Sequence, residues 1–505
     1  MPHETGFQDT IKFYVFSVEK TRPVQETQSL NHSSIRNATL IIAIARYSQI
    51  VINIVFSAVL ARLLSPEEFG VVAVITVFTT FFLLLSDMGF GVAVIQNRTI
   101  SQKEIYDVFT ISMLLGLFIS LGFALLSFPI AFFYHNEVYK TICPLLSVSL
   151  FFSTLNSIPS SLLRKEKKFG LIAKRSILVT FSSGIITIVL AYFGWKYYAL
   201  VFQAIISSIA VFLWNYLHSP LRISLHPNFG IIKKMWGMSF FQFSFNFINY
   251  FARNLDNLLI GYFMGPAPLA FYNKAYRLML YPVSNLTHVI TPVLHPIFSE
   301  HQNDRAYILS KYKKILKLLS LSGVLISSIC FFAADEIIAI MFGKQWDMTI
   351  PCFRMLSLSI WAQMVTASTG AIFQSLGNTK LMFKAGTIAA IFITGNILIG
   401  LATKDLSLLS LFVAIGFNGS FLINFLIIGY FGFKTKALYF LRIFFPDLII
   451  AALIFCIMTI QPIHLNNLFA SLGIKILFSS ILFLLGLVIT QQQKEFFSFF
   501  HRNKK

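Results

Sequence analysis

The chain reads as an all-α integral membrane protein of about 14 transmembrane helices, two parallel six-helix lobes followed by two further C-terminal helices. Three observations predict this. Only 12% of the residues are charged, 56% are hydrophobic and the mean hydropathy is +0.74, whereas soluble domains carry roughly 25% charge. Apolar runs of about 20 residues recur along the chain with helical periodicity, each long enough to cross a hydrocarbon core of roughly 30 Å. The third observation is an internal duplication, set out below.

Taken in order, residues 1–37 are polar, lack the apolar stretch of a signal peptide and read as a cytoplasmic tail. Spans are expected at 38–61, 69–95, 105–132, 141–162, 171–193 and 197–217, forming an N-lobe over 38–217. Six more, at 235–262, 275–298, 313–334, 349–375, 382–401 and 406–432, form a C-lobe over 235–432. Spans 13 and 14 follow at 438–460 and 467–490, then a basic cytoplasmic tail over 491–505. With the N-terminus inside and the spans alternating, most of the 40 Lys and Arg fall on the cytoplasmic side, among them Arg164, Lys165, Lys174, Arg175 and Lys317. A minority, Arg62, Lys140, Lys196, Lys274, Arg277, Lys344 and Lys404, fall outside. That asymmetry follows the positive-inside rule and puts both termini in the cytoplasm. The net charge of +20 is therefore read as membrane orientation, not as a nucleic-acid surface.

The polar residues of span 7 are not scattered. Gln242, Asn246, Asn249, Arg253 and Asn257 recur every three or four residues and share one helical face. Asp256 stands at i+3 from Arg253, within pairing distance on a helix. Subtracting 200 from Asn246, Asn249, Arg253 and Asn257 gives Arg46, Gln49, Asn53 and Ser57 of span 1. The offset continues into the loops, where Ser65-Pro66 matches Gly265-Pro266. Spans 1 and 7 cross in the same direction, so the two units are parallel repeats facing a shared space.

Charge inside a membrane costs roughly 2.5–3.5 kcal/mol per residue on insertion scales and marks a cavity or an ion pair. Arg46, Arg253, Asp87, Asp256, Arg354 and Lys475 are the candidates, with Lys475 shallow enough to snorkel. Arginines on facing stripes suit an anionic ligand, because the guanidinium fork fits phosphate oxygens. The neighbouring Asn and Gln suit sugar hydroxyls, and Tyr47, Phe243 and Tyr250 suit sugar rings or isoprenoid chains. In span 8, Pro282, Pro292 and Pro296 interrupt the backbone ladder beside His288 and His295, a candidate bending gate.

No enzymatic constellation is present: no GxxxxGK[ST], GxSxG or HExxH motif. Cys143, Cys330, Cys352 and Cys456 are isolated, so no metal site and no cofactor is expected. The chain reads as a transporter driven by an ion gradient or by consumption of its product.

Leu64-Ser-Pro-Glu-Glu-Phe-Gly70, Arg253-Asn-Leu-Asp-Asn-Leu-Leu-Ile-Gly-Tyr-Phe-Met-Gly265 and Phe271-Tyr-Asn-Lys-Ala-Tyr-Arg277 resemble the bacterial polysaccharide exporters of the multidrug/oligosaccharidyl-lipid/polysaccharide superfamily. These are flippases of the O-antigen, colanic-acid and teichuronic-acid type. The resemblance covers the chain from about Asn37 onward. It implies two lobes around a cationic cavity, alternating access, and an inner-membrane location. The implied cargo is an undecaprenyl-pyrophosphate-linked oligosaccharide moved from the inner to the outer leaflet for surface-polysaccharide synthesis. Polysaccharide polymerase and chain-length proteins are the implied partners. Carried onto this sequence, Arg46 and Arg253 hold the pyrophosphate, Gln49, Asn53, Asn246 and Asn249 meet the glycan, and Asp87 and Asp256 are coupling or pairing groups. An ion-coupled multidrug exporter of the same superfamily is the alternative; its cavity should carry net acid.

Overall fold

The computed structural model describes residues 32–87, 91, 94, 100–230, 250, 254–299, 301–302, 304–436, 438–463 and 465–498. Among them there is no strand. The helices of the first half are α1 (His32–Leu63), α2 (Pro66–Asp87), α3 (Gln102–Leu125), α4 (Ser127–Phe133), α5 (Tyr139–Leu155), α6 (Ser157–Lys165), α7 (Phe169–Tyr192) and α8 (Tyr197–Leu217). The second half holds α9 (Pro266–Ser299), α10 (Arg305–Phe332), α11 (Ala334–Met341), α12 (Thr349–Ser357), α13 (Ile360–Thr366), α14 (Thr369–Ser375), α15 (Thr379–Ala402) and α16 (Leu406–Ile427). The chain closes with α17 (Tyr439–Ile460), α18 (Leu468–Ile489) and α19 (Gln493–Ser498).

Eleven stretches of the described residues are helical, long and apolar enough to cross a membrane. A twelfth counts if Thr349–Ser357 and Ile360–Ser375, bent by 48°, form one span. They coincide with expected spans 1–6 and 9–14. Expected span 7 lies mostly outside the described residues. Expected span 8 is helix α9, but it starts at Pro266, earlier than the 275 read from hydropathy. Proline at the first helical position loses no hydrogen bond, and Gly265, at φ +93°, ends the preceding turn in the left-handed region that glycine enters freely.

Helices α2 and α9 pack directly against each other. At Gly70 a Cβ would lie 1.8 Å from the carbonyl oxygen of Pro266. No side chain fits there, so a bare backbone lets the two helix starts touch. The duplicated ends also share geometry: Phe69 N donates to Ser65 O at 3.2 Å and Leu269 N to Gly265 O at 3.3 Å. The acids that distinguish the copies have a local job. Glu68 accepts from Ser65 N at 2.8 Å while Ser65 Oγ accepts from Glu68 N at 3.3 Å, a reciprocal cap of the orphan amides at the start of α2.

Buried ion pairs fasten the last two long helices. Lys317 of α10 pairs with Asp447 of α17, whose second oxygen accepts from Ser320 Oγ at 2.5 Å. Lys475 of α18 pairs with Glu336 of α11 at 2.6 Å and donates to Phe332 O at 3.0 Å. Both lysines differ from their sequence reading. Lys317, counted with the cytoplasmic charges at the start of expected span 9, is 7% exposed, and Lys475, expected to snorkel, is 6% exposed. Their acids lie more than a hundred residues away in the chain, where no helical spacing could reveal them. Arg354 is paired too, with Asp335.

Candidate functional site

A cavity of about 720 Å³ is lined, among the described residues, by α1, α2, α7, α8 and α9, with Met341 and Phe342 at the end of α11; its volume is within the range of ligand sites, roughly 300–1,000 Å³. From α1 it takes Gln49, Asn53, Phe56, Ser57 and Leu60, positions that recur at helical spacing. Helix α7 contributes Arg175, Ser176, Thr180 and Ser183, and α8 contributes Gln203 and Ser207. Helix α9 contributes Asn273, Lys274, Arg277 and Tyr281. Among the described residues three cationic side chains line this space, and no Asp or Glu does.

Each cation is held differently. Arg175 Nη1 donates to Asn215 Oδ1 at 2.8 Å. Lys274 Nζ donates to Ser57 Oγ at 3.0 Å and lies 3.9 Å from the centroid of the Phe69 ring, 5.0 Å from that of Phe342 and 5.4 Å from that of Trp346. Three aromatic faces thus carry part of the solvation that water would supply. Arg277 is exposed to the cavity, with no hydrogen-bond or ion-pair partner among the described residues. None of the three has a carboxylate partner among the described residues. Like charges with no acid between them repel, and an anion entering the space relieves that repulsion.

One end of the cavity is closed by hydrogen bonds between helix ends. Arg62 donates to Met341 O at 2.9 Å and Ile340 O at 2.5 Å, the last carbonyls of α11. In return Trp346 Nε1 donates to Ala61 O at 2.8 Å and Gln345 Nε2 to Leu64 O at 3.1 Å, at the end of α1. Helix C-termini leave carbonyls unsatisfied and partly negative; here each end is capped by donors from the other segment. Met341 and Phe342 form the cavity lining at this closure.

The expected site residues distribute unevenly. Gln49 and Asn53 line the cavity, and Gln49 Nε2 also reaches Thr180 Oγ1 at 3.1 Å. Arg46 is exposed on the same helical face one turn away, outside the lining. Gln242, Asn246, Asn249 and Arg253 lie outside the described residues. Asp256 is 3% exposed and accepts from Tyr272 Oη at 2.7 Å and Asn257 N at 2.8 Å. Asp87 ends α2, and Pro282, His288 and Pro292 fall within α9, where Pro282 is half-buried; the side chains of Asp87, His288 and Pro292 lie outside the description.

The sequence reading counted Arg175 on the cytoplasmic side and Lys274 and Arg277 on the outer side, and named none of them as a site residue. Arg175 and Arg277 fall inside the expected spans 171–193 and 275–298 and Lys274 just before the second; in the structure all three belong to helices and line the cavity. Charge near the end of a span reads as orientation, so its place in a cavity goes unseen. The usable signal was the spacing Asn273, Lys274, Arg277, Tyr281, which continues the polar face of α9.

The family model described as "Polysaccharide biosynthesis protein" matches residues 59–351. The teichuronic acid biosynthesis protein TuaB of Bacillus subtilis (strain 168) is 24% identical over 339 residues, covering 66% of this chain and 69% of that protein. The lipopolysaccharide biosynthesis protein WzxC of Escherichia coli (strain K12) is 24% identical over 367 residues, covering 71% and 73%. Among solved structures, the lipid II flippase MurJ in its inward closed conformation matches with a TM-score of 0.70 at 18% identity. That match covers 90% of this chain and 99% of the other, so the two share a fold.

Proposed function

The chain belongs to the polysaccharide biosynthesis protein family, and we propose that it translocates undecaprenyl-pyrophosphate-linked oligosaccharide units from the inner to the outer leaflet of the bacterial inner membrane. The observation that carries this reading is the cavity lined by Arg175, Lys274 and Arg277, with no Asp or Glu among the described lining residues. A glycan headgroup cannot enter hydrocarbon, since each hydroxyl stripped of its hydrogen bonds costs several kcal/mol. A hydrated cavity of amides and hydroxyls replaces that water, and the cations offset the cost of carrying the phosphates.

In this reading Arg175 and Arg277 meet the pyrophosphate, and Gln49 and Asn53 the sugars. Arg46, farther along the same face, and Arg253 take the phosphates at another point of the passage. Two parallel six-helix lobes supply alternating access. The reciprocal caps around Arg62 and Trp346 form the closed gate of the described state, and their release opens that end. A described lining with three cations and no acid disfavours a cationic drug as cargo, which separates this reading from multidrug export.

Complementation tests it. Cells that lack the protein are expected to accumulate inner-leaflet lipid-linked units and to recover normal pools when it is restored. Unchanged pools in the deletion strain would overturn the assignment.

A further inference from the structure

Beside the cavity lies a side alcove of about 260 Å³ between α5 and α8. Ala204, Ser207 and Val211 line both spaces, so the two share a wall. The alcove adds Ser149, Ser153 and Asn156 from α5 and its end, at spacings of four and three on one helical face, and Ser208 from α8.

Small residues between membrane helices ordinarily bring backbones into contact. Here they leave a space, and part of their polarity is unused. Ser149 Oγ donates to Ala204 O at 3.1 Å and Ser208 Oγ to Ile205 O at 2.8 Å. Ser153 and Ser207 have no hydroxyl partner among the described residues. Asn156 stands at the break between α5 and α6. Its Oδ1 accepts from Asn215 Nδ2 at 2.7 Å, and its amide NH₂ has no partner among the described residues. Asn215 is fully buried, and its own Oδ1 accepts from Arg175. A two-bond relay therefore joins the floor of the alcove to a cation of the main cavity.

We propose that the alcove is a sugar subsite: it receives a neutral monosaccharide of the lipid-linked glycan while Arg175 engages the adjoining pyrophosphate. The inference rests on the proposed function. The chemistry is that of a neutral polyol, since the lining offers hydroxyl and amide donors and acceptors in pairs and no charge. The Asn156–Asn215 relay fixes Arg175 in register with the sugar, so headgroup and phosphate are read together.

The test uses full-length protein in detergent and four probes: bare polyisoprenyl pyrophosphate, and the same lipid bearing glucose, galactose or N-acetylglucosamine. Affinities are measured for wild type and for Ser153→Ala, which lines the alcove and not the main cavity, with melting behaviour as the folding control; Ser153→Cys is read if the alanine variant does not fold. Wild type is expected to bind at least one glycosylated probe about tenfold more tightly than the bare lipid, a gain of about 1.4 kcal/mol. The variant is expected to lose that gain with its bare-lipid affinity unchanged. A wild type that binds all four alike, or a preference that survives in the variant, overturns the subsite. A wild type that does not bind even the bare lipid overturns the proposed function, and the subsite with it.

Discussion

Arg277 enters the cavity without a hydrogen-bond or ion-pair partner among the described residues, whereas Arg175 is aimed by Asn215. Charged hydrogen bonds are worth roughly 1.5–3 kcal/mol, so Arg175→Ala or Arg277→Ala is expected to weaken binding of a lipid pyrophosphate by about 10- to 100-fold, as titration would show. Arg175→Lys should not rescue, because a single ammonium cannot hold both Asn215 and a phosphate in the geometry of the fork. Unchanged affinity in both alanine variants would remove these residues from the site. At Gly70 the effect is steric. Gly70→Ala drives a methyl group into the Pro266 carbonyl, and the expected cost is at least the roughly 1–3 kcal/mol of overpacking, read as a lowered melting temperature and reduced membrane yield. At this scale the sequence was partly legible. Gln49, Asn53 and Ser57 could be found because a wet stripe on an apolar helix is a strong pattern. Lys317 and Lys475 could not be read correctly, because their partners come from other helices.

At the scale of elements, α17 and α18 depend on the pairs Lys317–Asp447 and Lys475–Glu336. Removing one member of a buried pair costs roughly 3–5 kcal/mol, while replacing both with apolar groups is often neutral. Lys475→Met is therefore expected to lower the melting temperature strongly, and Lys475→Met/Glu336→Leu to recover most of the loss. A double variant as damaged as the single would show that the pair serves something other than docking of α18. The closure between α1 and α11 gives a second expectation. In a background with the four native cysteines replaced, Ser57→Cys should react faster with an impermeant maleimide once Arg62→Ala removes the caps on Ile340 and Met341. An unchanged rate would mean that these bonds do not hold the gate. Most long helices were legible because an apolar run near 20 residues has few other uses. The start of α9 was not, because its first turns, from Pro266 to Lys274, carry two prolines, an asparagine and a lysine and resemble a loop by hydropathy. Nor was the closure, whose donors answer carbonyls that leave no mark in a side-chain sequence.

For the whole molecule, the 200-residue offset read from the sequence relates the two helix starts, α2 and α9, that meet at the Gly70–Pro266 contact. Identity of the cargo was not visible, because amides and hydroxyls at helical spacing suit many polar headgroups. The central claim is that a cationic cavity lined by Arg175, Lys274 and Arg277 carries an anionic glycolipid headgroup across the membrane. Its most direct test is a flipping assay in proteoliposomes that compares a polyisoprenyl-pyrophosphate-linked oligosaccharide with a cationic dye. Wild type is expected to move the glycolipid and not the dye, and Arg175→Ala/Arg277→Ala, folded and inserted, to lose that movement. Dye transport by wild type together with glycolipid movement undiminished in the double variant would contradict the account.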